Sequence, residues 1–135
     1  MIIVILMGGL PSDFEKVVDE AMVALPGAVE RLSLSGIQDP LQLDRIQKSL
    51  LDKNGVVGDD RVTIITGIST ERCVRFWREH GGIFCHVRGP LHPVFYTQRI
   101  EFEDYHVAPL GYSLSKPEHV LDPVELISEV LLKRQ

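Results

Sequence analysis

The run Ile2–Met7 constrains this chain more than any other feature. Six consecutive apolar residues are broken at once by Gly8, Gly9 and Pro11, and a helical apolar period follows. A short Ile/Val-rich run without polar alternation predicts a strand buried on both faces, as in a parallel sheet covered by helices.

The pattern then repeats. Phe14, Val17, Val18, Ala21, Met22 and Leu25 predict a first helix, with Gly27 just past its end. Ser12 and Glu15 have the spacing of a capping box at its start. Arg31–Ser35 reads as a brief second strand. Asp39–Pro40 predicts an N-cap followed by Pro at the first helical position. Leu43, Ile46 and Leu50 supply that helix's stripe, and Asn54–Gly55 its stop. Arg61–Thr66 is the next buried strand. Ser69 or Thr70 caps a helix through His80, closed by Gly81–Gly82, with Cys73, Phe76, Trp77 and His80 on its inner face. Ile83–Arg88 is another strand and His119–Leu121 a short last one. Asp122, Pro123 and Glu125 open a final helix striped by Ile127, Val130 and Leu131. Residues 89–117 contain Pro90, Pro93, Pro109 and Pro117 around a strand-like Tyr96–Phe102, and predict an irregular, lid-like excursion.

Strands alternating with helices predict an α/β fold of three layers, with a mainly parallel sheet of four or five strands in one domain, residues 1–135. Ligands of such sheets bind beyond the carboxyl ends of the strands. The turns Gly8–Glu15 and Gly67–Arg72 are therefore the expected places for chemistry.

Composition narrows the class. With 44% apolar and 24% charged residues, the 135-residue chain has the make-up of a folded domain, not of a disordered one. Met1–Met7 is too short to span a bilayer and no charged segment precedes it, so neither a secretory leader nor a membrane span is expected. Two cysteines, Cys73 and Cys85, make no disulfide framework, which points to a reduced cytoplasmic protein. The net charge of −5 divides into −5 over residues 1–60, +4 over 61–100 and −4 over 101–135. A mildly basic middle between acidic flanks does not predict nucleic-acid binding.

ILMGGLPSDFEKVV has the strand–turn–helix setting of a phosphate-binding loop and resembles the MGLPGSGKST turn of P-loop nucleotide and sugar kinases. With Gly9-Leu10-Pro11 matched to GLP, Ser12 stands in place of a Gly. Phe14 replaces the second essential Gly, Glu15 the Lys, and Lys16 the Ser/Thr that would hold Mg²⁺. Such a loop cradles phosphate with backbone N–H groups, which requires glycine's missing side chain. Phe14 crowds that approach and Glu15 repels phosphate. Ordinary ATP–Mg²⁺ binding is not expected.

VTIITGISTERCVRFWREHGGIFCHVRGP resembles the C-terminal half of phage-type deoxynucleoside monophosphate kinases. In that family a strand ending in a T-D-V-R-F-P-N-E-like motif leads to a helix, a Gly-Gly turn and a strand ending V-x-R. Counting back from Gly81–Gly82, Thr66 falls on the motif's Thr, Gly67 on its Asp and Ser69 on its Arg. Glu71 and Arg72 fall on its Pro and Asn, and Arg88 on the later Arg. HVLDPVELISEVL looks like the family's last strand and helix. The resemblance implies a P-loop kinase fold in a phage or prophage setting. The acidic and basic residues that would serve substrate or metal are missing at the matched positions.

Other constellations are weaker. Histidines 80, 86, 92, 106 and 119 lack zinc-ligand spacing, and no metal is expected. Cys73 lies on an apolar helix face and reads as packing. Glu71–Arg75 and Arg75–Glu79 have the spacing of helix ion pairs. Glu101 and Glu103 would share one face of a strand, as charges that protect a sheet edge.

The function expected from these readings is a non-catalytic, kinase-like protein that binds another protein, or a second copy of itself as a homodimer. Its candidate contacts are Arg72, Arg75, Arg88, Arg99, Tyr96 and Tyr105. The alternative is a small phosphotransferase of deoxynucleoside monophosphates, with ATP–Mg²⁺ as its cofactor and Lys16, Arg72, Arg88 and Arg99 as phosphate contacts. Gly8, Gly9, Ser12 and Glu15 form the altered loop under either reading.

Overall fold

The computed structural model describes residues 2–54, 61–112 and 119–134. β1 (Ile2–Met7) is buried along its whole length. It pairs in parallel with β3 (Val62–Thr66) on one side and β4 (Ile83–Val87) on the other. β2 (Val29–Ser33) lies outside β3 at one edge. β5 (Tyr105–Val107) and β6 (Val120–Leu121) extend the sheet beyond β4. Among the described residues the six strands are all parallel, in the order β2-β3-β1-β4-β5-β6.

Strand side chains alternate between two faces, and the core divides accordingly. Ile2, Val4 and Leu6 pack with Val17, Val18 and Ala21 of α1 (Pro11–Ala24) and with Leu126, Ile127 and Val130 of α4 (Pro123–Arg134). Ile3, Ile5 and Met7 pack with Cys73, Val74 and Trp77 of α3 (Glu71–Glu79), and with Leu43 and Ile46 of α2 (Pro40–Asn54). Three layers result, with the sheet between α1/α4 and α2/α3. A buried hydrogen bond joins the two helices of the second layer: Trp77 Nε1–H donates to Gln47 Oε1 over 2.9 Å. No described helix is long and apolar enough to cross a membrane.

Local signals explain most element ends. Asp39 accepts from the Leu41 N–H at 3.0 Å, with Pro40 opening α2. Thr70, of the two candidates, caps α3 by accepting from the Cys73 N–H. Asp122 and Glu125 form a reciprocal capping box at α4, over 2.8 and 3.0 Å.

Several expectations need correction. Among the described residues the sheet has six strands, not four or five, and β2 starts two residues earlier than expected. Tyr96–Phe102 is not a strand. Tyr96 ends a 3-10 turn (Pro93–Tyr96), Glu101 lies in irregular chain after it and Glu103 in a turn. Val94 and Phe95 are buried in the core beside α3, so the segment between β4 and β5 crosses that face of the sheet in place of a helix. Burial of two large apolar side chains beside Pro93 outweighs the β-propensity of the later residues. On α3, Val74 takes an inner position while His80 is exposed. Met22 and Leu25 of the first stripe are also exposed. Gly55 and residues 113–117 lie outside the described residues.

Candidate functional site

The connection after β1 leads to α1 on one face, while those after β3 and β4 lead to the opposite face. The carboxyl end of β1 is therefore the switch point of the sheet, where a crevice is expected. Three turns meet there: Gly8–Pro11, Thr66–Thr70 and Arg88–His92.

The first turn is closed by the chain itself. Gly8 and Gly9 have φ of 84° and 73°, values that suit glycine. The Gly9 N–H donates to Pro90 O over 2.8 Å. A Cβ on Gly9 would lie 2.5 Å from Val87 Cγ1, and one on Gly8 would lie 3.3 Å from Pro90 O. One N–H of the turn is thus taken by the segment after β4, and Val87 at the end of β4 packs closely against Gly9.

The expected capping box does not form here. Leu10 is the N-cap, without a side-chain cap, and Pro11 opens the helix, so Ser12 sits inside the first turn. Glu15 turns away to Arg31 on β2, which donates from Nη1 and Nη2 over 2.6 and 3.0 Å. Arg31 Nε–H also donates to Thr66 Oγ1 over 3.1 Å. The Arg31 hydrogen bond lowers the Glu15 pKa against an opposing effect of burial, and the Arg31 charge lowers it further. A bidentate charged partner competes well with one helix N–H.

The third turn is also filled. A Cβ on Gly67 would lie 2.5 Å from both the N and the Oγ of Ser35. A cleft of about 210 Å³ opens beside it between α2 and α3, lined by Leu34, Ile37, Gly67, Ser69, Thr70 and Cys73. Among the described residues no charged side chain lines it.

The candidate residues are not gathered into one site. Arg72 pairs with Asp44 of α2. Arg75 is exposed, and Glu71 accepts from Thr97 rather than pairing with Arg75. Lys16 is exposed on α1. Tyr105 packs against the core on the α1/α4 side, away from α3. Arg99 is exposed, and its carbonyl accepts from Arg78. Arg88 follows β4 beside the closed first turn, exposed together with Leu10 and Leu91, and Tyr96 is 79% exposed at the end of the 3-10 turn.

Sequence reasoning missed a buried polar network that centres on Asp104. Its side chain is 3% exposed. It accepts from both Nη1 and Nη2 of Arg78, the latter over 2.7 Å, and from the Glu101 N–H over 3.3 Å. His86 Nε2 lies 2.8 Å from its Oδ2. A carboxylate only accepts, which assigns the hydrogen to Nε2. His86 Nδ1 is left buried without a partner among the described residues. Arg78 also stacks on the Phe84 ring, 4.0 Å from its centre. Burial raises the Asp104 pKa, but the hydrogen bonds from Arg78 and His86, with their charges, bring it down to about 2. Burial, and then the charge of Asp104, push the Cys85 thiol up. The available signal was His86 within an apolar strand, where a polar side chain demands a partner. Among the described residues no group of three His, Cys, Asp or Glu side chains is arranged to hold a metal.

Comparison with family models, with curated proteins and with solved structures finds no match to this chain.

Proposed function

We propose that this chain is a non-catalytic domain of P-loop-kinase-like build that acts by binding another protein. The observation that carries the reading is the first turn: the Gly9 N–H is bonded to Pro90 O and Val87 packs directly against Gly9. A loop that binds phosphate must leave its N–H groups open. Glu15, at the position of the kinase lysine, is held by Arg31 and would repel phosphate. The contact face of this reading is Leu10, Arg88 and Leu91, exposed in the turn and in the segment after β4, with Tyr96 exposed at the end of the 3-10 turn that follows. Apolar and aromatic groups beside arginine suit protein recognition. The resemblance to phage-type kinases carries a phage or prophage setting and a place in the host cytoplasm as part of the same proposal.

Calorimetry with ATP–Mg²⁺ and with deoxynucleoside monophosphates tests it. No saturable heat is expected. Tight, saturable binding of either would overturn the reading in favour of a phosphotransferase. Sedimentation of wild type and of a Leu10→Asp/Leu91→Asp variant tests the homodimer form, since a dimer built on this face would dissociate in the variant.

A further inference from the structure

Three imidazoles stand in a row across β4, β5 and the approach to β6. His86 and His106 are direct register partners, with ring centres 5.5 Å apart. The His106 and His119 rings are 5.8 Å apart. His106 also registers with Val120 of β6. The charged groups around His106 come from every neighbouring element: His86 and Arg88 from β4 and its end, Asp104 from the crossover, and His119 from before β6. Arg78 of α3 stands behind Asp104. Asp104 is the one carboxylate in this set, and Arg78, His86 and the Glu101 N–H already engage its oxygens. A proton on His106 would therefore sit among cations and imidazoles, with no free carboxylate among these described groups to receive it.

The strand it would disturb is short. β6 has two residues and is held by the β5 register and by the Ala108 N–H donating to Leu121 O over 2.9 Å. We infer that His106 is an acid-sensitive pin of this sheet edge, whose protonation loosens β6 and the attached α4 from β5.

The electrostatics agree with the geometry. Burial lowers the His106 pKa, the charges of His86 and His119 lower it further, Asp104 opposes, and Arg88 adds to the lowering. A histidine lowered in the folded state leaves the unfolded or opened chain to take the proton first. The edge is thus fully held above the ordinary value of 6.5, and weakens as pH falls below it until the folded value is passed. His92 is also lowered by burial, so a global melt would mix two sources and a local readout is needed.

Native-state amide hydrogen exchange supplies that readout, corrected for the intrinsic pH dependence of exchange and compared between about pH 7.5 and about pH 5.5, either side of the histidine range. Protection at Ala108 and along α4 is expected to fall several-fold in wild type and in His92→Gln, and to stay flat in His106→Gln. An equal fall in His106→Gln, or none in wild type, overturns the inference. If His106→Gln does not fold, His119→Gln replaces it. Removing that exposed ring should shrink the fall, and an unchanged fall overturns the inference.

Discussion

Replacing Asp104 by Asn keeps the shape of the side chain and removes its charge. The carboxylate is 3% exposed and Arg78 is 22% exposed, so this ion pair is largely withdrawn from water. Breaking a buried pair by removing one partner costs about 3–5 kcal/mol, because the other charge stays buried without compensation. Arg78 keeps a partial path to solvent, its contact with the Arg99 carbonyl and its stack on Phe84, which places the expected loss near 3 kcal/mol. Native domains have about 5–15 kcal/mol in total. The variant should remain folded at room temperature and melt roughly 10 °C lower. Urea unfolding followed by circular dichroism measures the loss directly.

A pH arm separates charge from packing. The Asp104 pKa is about 2, against an ordinary 3.8. A depressed carboxylate contributes stability above its unfolded value, and that contribution is lost as pH falls through the folded value. Wild type should lose about 2 kcal/mol from this group between pH 4 and pH 2, and Asp104→Asn should not. A variant within about 0.5 kcal/mol of wild type at neutral pH would refute the view that this network holds the crossover in place.

Two glycines give a paired test. A Cβ on Gly36 would meet nothing within 4 Å, while one on Gly9 would lie 2.5 Å from Val87, and both residues have positive φ. Gly36→Ala should cost about 1 kcal/mol for the backbone alone, and Gly9→Ala at least about 1 kcal/mol more, as read by thermal denaturation. Trimming Val87 to Ala should recover part of that difference in a double-mutant cycle. Gln47→Leu removes the acceptor of the buried Trp77 N–H and should cost about 1–3 kcal/mol. The single tryptophan makes its fluorescence the natural probe, and an unchanged unfolding midpoint would count against the bond.

Legibility followed the distance over which each signal acts. β1, β3 and β4 are continuous apolar runs long enough to announce themselves, and they lie within one residue of the sequence reading. The caps of α2 and α3 depend on residues two or three positions away, and both were readable. The two capping-box patterns show where that local logic ends. Asp122 and Glu125 form theirs, whereas Glu15 leaves Ser12 for Arg31, sixteen positions along the chain. No local period encodes that competitor. The candidate site was readable as a place, since parallel strands put their turns at one edge. Its closure was not, because it depends on Val87 and Pro90 arriving from another strand.

The sequence by itself determined the class of fold, because buried parallel strands and amphipathic helices are written in periods of a few residues. It also determined that the first turn lacks the residues of a working phosphate loop. Only the tertiary structure decided the strand order, the path of residues 88–104 across the α3 face, and the meeting of Arg78, His86 and Asp104. These rest on contacts between residues far apart in the chain, whose pairing is settled by which buried charges and apolar surfaces find one another when the layers close.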